Sequence, residues 1–351
     1  MQELKARTVG FRPGERNVFF HILTACNLRC RHCYINPAEH GTCTLPLETV
    51  CKWLALFACD HAAGVADAEG VQATNLILLG GEPTMHPDLA EIIRAAKAMG
   101  FNVTVDSNGY LFHDLLAKTS PQELDYLSFS LDGPDAAVND PIRGQGSFEV
   151  CTGSIRRAVA AGFNTSLIYT VSALNIEHLA RMPALVQELG VQRFFIQVIG
   201  LRGKPAKETA APGQNWQVRP EEWFSVVPQV AADAAQRGIH VTYPKVYLSA
   251  EDAFECAGVV AENYFIFPNG RVYQCPLCED YPIHSYAIEN DQLVHRQGLN
   301  EDRFFPLHIP EGCIMNRLLQ PDNISYAEDG SPLHRISCCL LKEEVLPAIP
   351  S

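Results

Sequence analysis

Apolar residues along the chain alternate between two rhythms. Short apolar, β-branched runs read as buried strands, and stretches with apolar positions three and four apart read as amphipathic helices. The first run, residues 17–24 (NVFFHILT), leads into a cysteine-bearing loop and a helix-like stretch over 46–59, with Thr44 placed to cap it. Residues 75–79 (NLILL) stop at Gly80-Gly81-Glu82-Pro83, and helical spacing resumes over 88–99 until Gly100 ends it. The unit then repeats. Strand 101–106 runs into Ser107-Asn108-Gly109 and a helix over 111–118. Strand 124–131 runs into Asp132-Gly133, a loop and a helix over 147–161. Strand 164–171 precedes a helix over 176–189, and strand 193–198 precedes a Gly/Pro-rich loop and a helix over 220–237.

Six such units predict an α/β fold with parallel strands. Right-handed crossovers curve them into an open six-unit (β/α)6 partial TIM barrel over residues 1–240. From about residue 240 the pattern changes to short strand-like pieces. One of these, 264–267, turns through Pro268-Asn269-Gly270 into 271–274, a hairpin signal. Residues 241–351 are therefore read as a small cysteine-rich C-terminal domain. In parallel sheets of this kind chemistry gathers at the C-terminal strand ends, which is where the cysteine loop, GGEP, SNG and LDG all fall.

Composition narrows the class. The 351 residues are 47% hydrophobic and 19% charged, a globular balance. The net charge is −13, with 16 Asp+Glu against 7 Lys+Arg after residue 240 and 24 against 20 before it. An acidic chain argues against a nucleic-acid partner, whose phosphates need Lys and Arg. No apolar run approaches the roughly 18 residues of a membrane span, and the first residues lack a secretory apolar core. A cytoplasmic location is expected, where 13 cysteines point to metal or redox chemistry before disulfides.

Cys26, Cys30 and Cys33 stand in a C-x3-C-x2-C array on one tight loop. Three thiolates can hold a metal centre but leave it one ligand short, which suits an iron–sulfur cluster open to a substrate. A structural zinc site would want four closed ligands, and His32 lies between Cys30 and Cys33, where all four groups can hardly surround one ion.

The array with the following Tyr34, together with GGEP and the later strand-end motifs, resembles the radical S-adenosylmethionine (SAM) superfamily over about residues 17–200. The resemblance implies that the three cysteines hold a 4Fe–4S cluster whose fourth iron binds the amino and carboxylate groups of SAM. Reductive cleavage of the sulfonium then yields a 5′-deoxyadenosyl radical that abstracts hydrogen. By the same resemblance Gly80, Gly81, Glu82 and Pro83 bind the methionine amino group, and Ser107 and Asn108 meet the ribose or methionine carboxylate. Ser130 and Asp132 hold the equivalent place on the next strand, and Arg143 pairs with the methionine carboxylate. Asn139 and Asp140 receive no role.

The C-terminal cysteines set the subclass. Cys256, Gly270 and Cys275 match the opening of the SPASM/twitch pattern, which builds an auxiliary cluster, but Cys278, Cys313 and the pair Cys338-Cys339 depart from its continuation. Two cubane clusters would need four thiolates each, and six cysteines follow residue 240. One auxiliary 4Fe–4S cluster is expected, on Cys256, Cys275 and Cys313 with a fourth from Cys278, Cys338 or Cys339; a zinc ribbon is the weaker alternative. Cys43, Cys51, Cys59 and Cys151 are read as small buried hydrophobes, and His86 and His178 as structural.

Auxiliary clusters of this kind occur in relatives that modify peptides and in relatives that oxidise small molecules. Only about sixteen residues precede the first strand, so an N-terminal peptide-recognition domain is not expected. A peptide or protein substrate is ranked above a small molecule, with flavodoxin or ferredoxin as reductant. A non-catalytic electron-transfer protein would not need the strand-end polar residues.

Overall fold

The computed structural model describes residues 15–58, 73–209, 216–249 and 251–347. Its strands are β1 Glu15–His21, β2 Ala73–Leu79, β3 Asn102–Ser107, β4 Tyr126–Ser130, β5 Thr165–Val171, β6 Arg193–Val198 and β7 His240–Pro244. They continue as β8 Tyr247–Leu248, β9 Glu262–Ile266, β10 Arg271–Tyr273, β11 Tyr286–Glu289, β12 Gln292–His295, β13 Arg335–Ile336 and β14 Lys342–Val345. Twelve of them form one open sheet in the order β12-β11-β10-β9-β1-β2-β3-β4-β5-β6-β7-β14. From β9 through β7 every neighbouring pair is parallel.

The six strand-and-helix units appear in the expected order, and two further parallel strands extend them. β7 continues beyond β6, and β9 lies against the opposite edge of β1 with Val18 beside Tyr264. Neither was legible, for different reasons. No helical periodicity follows β7 to mark it as a unit. For β9 the sequence shows only the local antiparallel hairpin to β10, which is present, and not the partner more than two hundred residues earlier. The sheet therefore runs without a break across residue 240.

Alternation along the strands fixes the layers. Val18 and Phe20 of β1, Leu76 and Leu78 of β2, and Val103 and Val105 of β3 are fully buried in the core beneath the helices. The opposite face of the same strands carries polar groups at one end. Asn17, Asn75, Asn102 and Asn263 sit side by side on four neighbouring strands, with side-chain hydrogen bonds of 3.0 Å from Asn75 to Asn17 and from Asn102 to Asn75.

Local differences have local causes. The helix Leu47–Ala55 starts after Pro46 without a side-chain cap, because Thr44 is taken up in a bridge with Leu23; Cys59 falls outside the described residues. Residues 136–143, expected as loop, form the helix Ala136–Arg143 despite Pro141, capped by the Asp135 carboxylate on the Val138 amide. Among the described residues no helix is long and apolar enough to cross a membrane.

Candidate active site

The cysteine loop leaves the end of β1 and is held from three sides by neighbouring strand ends. Closest is GGEP after β2. The Gly81 amide donates to the Leu23 carbonyl at 3.1 Å and the Glu82 amide to the Ala25 carbonyl at 2.9 Å. A Cβ on Gly81 would stand 2.3 Å from the Ala25 oxygen, and one on Gly80 2.9 Å from the Leu23 oxygen. These glycines are required by the close approach of two backbones within the protein itself.

Glu82 is the node of the next contact. It is 1% exposed and accepts hydrogen bonds from the Thr84 amide (3.1 Å), the Thr84 hydroxyl (2.6 Å), the Ser107 hydroxyl (2.9 Å) and the Asn108 amide (2.7 Å). Burial raises its pKa, and these four donors counter the rise. Asn108 passes the connection on. Its side-chain amide donates to Asn27 Oδ1 at 2.8 Å and to Cys26 Sγ at 3.8 Å. The β2 and β3 ends and the first cysteine are thus one hydrogen-bonded unit.

Asp132, at the β4 end, is fully buried, with Arg143 Nε at 2.5 Å and His32 Nε2 at 2.8 Å from its Oδ2. Burial opposes its ionisation, yet Arg143 and His32 together hold the carboxyl well below the ordinary range. His32, in the middle of the cysteine array, is therefore held through its Nε2 by Asp132. Asn139 and Asp140, which carried no expected role, support this pair. Asn139 Oδ1 accepts from the Asp132 amide (2.9 Å), and Asp140 caps the Gly146 and Phe148 amides (2.7 and 3.0 Å). Beside them the Cys30 thiol reaches the Arg143 carbonyl at 3.5 Å. Ser130 is half-buried at the end of β4.

Tyr34 faces the third side. Its hydroxyl is 2.6 Å from His21 Nε2, whose Nδ1 is 3.0 Å from the Ile266 carbonyl. A carbonyl only accepts, so Nδ1 carries the proton and Nε2 takes the Tyr34 hydroxyl's. Burial keeps His21 neutral, with its pKa lowered to about 3. His21 and His40 sandwich Phe267, with ring centroids 4.1 and 3.9 Å away. Over Tyr34 lies the guanidinium of Arg202, 4.6 Å from the ring centre. Arg202 also donates to the Pro276 carbonyl at 2.7 Å and ion-pairs with Glu279. The Lys204 amide reaches the Cys33 carbonyl (3.1 Å), and its ammonium the Cys30 carbonyl (2.9 Å). Sequence reasoning missed His21, Arg202, Lys204 and Glu279, since none belongs to a motif.

The remaining cysteines gather elsewhere. Cys256, Cys275, Cys313, Cys338 and Cys339 line one cavity with Phe254, Met315 and Leu340, and Cys278 touches Cys275 thiol to thiol. Each is brought there by a specific device. The Glu301 carboxylate accepts from the Gln274 and Cys275 amides (2.7 and 3.0 Å) and fixes the Cys275 turn. Gly312, at φ +91°, lets the chain pass so close to Ile336 that a Cβ would lie 2.3 Å from its carbonyl, which sets Cys313 beside Cys338. Lys342 is buried next to the Cys338-Cys339 pair and donates to the Cys339 carbonyl at 3.1 Å.

All twelve described cysteines are free thiols. Among the described residues no three Cys, His, Asp or Glu side chains converge on one point as ligands of a single ion would. A cubane cluster takes one thiolate at each iron corner and needs no common point, so the absence of a single-ion site does not count against it. Of the other cysteines, Cys151 is buried as expected, Cys51 is half-buried, and Cys43 is exposed, contrary to expectation, because its amide binds the Thr24 hydroxyl at the loop surface. His86 is buried and bonded to the Leu45 carbonyl at 2.7 Å, a structural role.

Comparison with known proteins agrees with this geometry. The Radical SAM superfamily model matches residues 21–186. The mycofactocin maturase MftC of Mycobacterium tuberculosis (strain CDC 1551) is 26% identical over 276 residues, covering 77% of this chain and 65% of that protein. The AdoMet-dependent heme synthase of Methanosarcina barkeri is 30% identical over 190 residues, covering 54% of this chain and 52% of its own length. Among solved structures, Streptococcus suis SuiB superposes with a TM-score of 0.56 at 15% identity, over 76% of this chain and 61% of SuiB. Native anSMEcpe with bound AdoMet gives 0.56 at 12% identity, over 87% and 82%. The chain thus spans about half to two thirds of the length of the curated relatives it matches. With a cysteine loop braced by GGEP and a family match over residues 21–186, this part of the chain is a radical SAM superfamily domain.

Proposed function

We propose that this enzyme abstracts hydrogen from a peptide or protein side chain, assisted by an auxiliary 4Fe–4S cluster in a SPASM/twitch-like tail. The cavity lined by Cys256, Cys275, Cys313, Cys338 and Cys339 is the observation that carries the auxiliary cluster. Cys278, packed behind Cys275, is the reserve ligand. The division is functional, a six-unit partial barrel to about residue 240 and an auxiliary-cluster region over 241–351, although the region after 240 adds β9 to the same sheet. A peptide substrate is supported by the maturase MftC among the relatives and by the structure of SuiB bound to its precursor peptide SuiA.

When bound, the first cluster and SAM supply a 5′-deoxyadenosyl radical; the chain's own residues hold, orient and shield. Cys26, Cys30 and Cys33 are the thiolates of the first cluster, and the Tyr34 hydroxyl is fixed by His21. Glu82 already accepts four hydrogen bonds, about the capacity of a carboxylate. Its role is to shape the Gly80–Pro83 turn, whose backbone meets the methionine ammonium. Ser107 and Asn108 anchor that turn, and Ser130 borders the same mouth. Arg143 meets Asp132 through Nε, which reserves the far end of its guanidinium for the methionine carboxylate. A flavodoxin or ferredoxin supplies the electron. The heme synthase relative favours a second reading, in which the substrate is a small molecule.

Anaerobic reconstitution followed by dithionite and SAM tests the chemistry: 5′-deoxyadenosine is the expected product, and its absence would sink the proposal. A Cys26→Ala, Cys30→Ala, Cys33→Ala variant should lose about four irons and keep about four in the tail. Loss of all iron would refute the two-site arrangement. Incubation with short peptides encoded beside this gene separates the substrate classes, a mass change on one of them supporting a peptide.

A further inference from the structure

Among the carboxylates around the site, the half-buried Asp106 has the fewest partners. Asp132 has Arg143 and His32, and Glu279 has Arg202. Glu82 accepts four hydrogen bonds, as do Glu301 and Asp140. Asp106 has the Ser128 hydroxyl. Among the described residues no Lys, Arg or His pairs with it. The basic groups of the neighbourhood are committed elsewhere: Arg143 and the His32 ring to Asp132, Arg202 to Glu279, and Lys204 to the Cys30 carbonyl.

Its placement is not that of a structural residue. Val103 and Val105 point into the core, so Asp106 projects from the opposite face of β3, the face that carries His21 on β1. Asp106 is in register with Ser128 of β4, which is in register with Ser166 of β5, giving a line of hydroxyls beside the carboxylate. Asp106 is half-buried, so a carboxylate on this face keeps accessible surface. Its charge is felt by Tyr34, which follows the cysteine array, and by Glu82 of the GGEP turn.

An ionised carboxylate held in such a place without a counter-ion is costly, and the cost is met either by keeping the group protonated or by pairing it, so an arriving cation would be what draws Asp106 into its charged form. The protein supplies no cation. We propose that Asp106 is the counter-ion for a basic group of the substrate, an ammonium or a guanidinium seated on this face of the sheet beneath the cysteine loop. The neighbouring serine hydroxyls offer acceptors for the remaining N–H groups of such a cation. The inference rests on reading this face as the one that bears the substrate. It narrows the substrate to one carrying a lysine- or arginine-like group or a free amine near the hydrogen abstracted.

Binding separates this from the catalytic reading. The reconstituted full-length enzyme with SAM is titrated by calorimetry with Nα-acetyl-lysine amide and Nα-acetyl-arginine amide, and with the neutral norleucine and citrulline counterparts. The basic probes should bind about tenfold or more tightly than their neutral partners, the size of one charge-assisted hydrogen bond. Asp106→Asn, which keeps the shape and the Ser128 contact, should abolish that preference; Asp106→Ser repeats the test should the amide fail to fold. Equal binding of basic and neutral probes by the natural enzyme, binding of neither, or a preference that survives both substitutions overturns the proposal. A loss of SAM affinity in Asp106→Asn overturns it too, because the sulfonium cofactor would then be the counter-ion. Failure to form 5′-deoxyadenosine would refute the catalytic reading and leave this titration readable.

Discussion

Arg202 and Glu279 form an ion pair that ties the two cysteine-bearing regions together. The guanidinium covers Tyr34, next to Cys33, while its partner carboxylate follows Cys278. The same loop contributes Gly203, whose amide donates to Asp280 at 2.5 Å and whose Cβ, if present, would lie 2.6 Å from the Cys33 carbonyl. Removing one partner of a buried pair strands the other, at a cost of about 3–5 kcal/mol. Arg202→Met and Glu279→Gln should each approach that loss in urea titrations. The double variant should lose less than the sum, and single-variant thiols at Cys33 and Cys275 should alkylate faster.

Asp132→Asn removes the anion that holds His32 inside the cysteine array and leaves Arg143 buried without its partner. The carboxyl is kept below its ordinary range, so its contribution is fully present at neutral pH and fades as pH falls through the acid range. The substitution should cost roughly 3–5 kcal/mol at pH 7. Iron reconstituted onto the Cys26–Cys33 loop should be stripped faster by a chelator than from the natural protein.

Two glycines give opposite expectations. Gly81→Ala forces a Cβ to 2.3 Å from the Ala25 backbone oxygen, which cannot yield without moving the cysteine loop. A loss of roughly 2–4 kcal/mol and poor iron incorporation should follow. Gly153 lies in the helix Ser147–Ala160 with nothing near its missing Cβ. Gly153→Ala should raise stability by about 0.5–1 kcal/mol, read as a higher melting temperature.

Asp106 makes stability depend on pH in a predictable sense. Burial lifts its pKa from the ordinary 3.8 to about 7. A raised carboxyl contributes stability that is complete below its unfolded value and is lost as pH rises through the folded one. Asp106→Asn should therefore gain on the natural protein between pH 4 and pH 8, by roughly 2–4 kcal/mol, in paired urea titrations. A constant difference across that range would show that Asp106 does not titrate where its burial places it.

Motif spacing and strand periodicity made much of this molecule readable. The six strand-and-helix units, the position of the cysteine loop and its closeness to GGEP follow from patterns confined to a few neighbouring residues. What could not be read depends on partners far apart in the chain. The parallel pairing of β9 with β1 joins residues more than two hundred positions apart, as does the stacking of Phe267 on His21. Asn139 and Asp140 fell in a stretch read as loop and received no role, yet they support Asp132 from inside a helix. The glycines of GGEP were legible as places of close approach, but the sequence could not say that the approaching chain is the protein's own.

The pairing of β9 with β1 has a bearing on how the protein is made. During synthesis β2 follows β1 by only 58 residues, but the other edge of β1 waits until residues 262–266 leave the ribosome. For most of that time an apolar strand carrying the cysteine loop offers an open edge, the kind of surface on which nascent chains misassociate. Phe19 gains its stacking partner Phe265, 4.5 Å away, only with that late strand. Overproduced protein should therefore gain folded yield from added chaperone, because the second edge of β1 is covered only once residues 262–266 have been made.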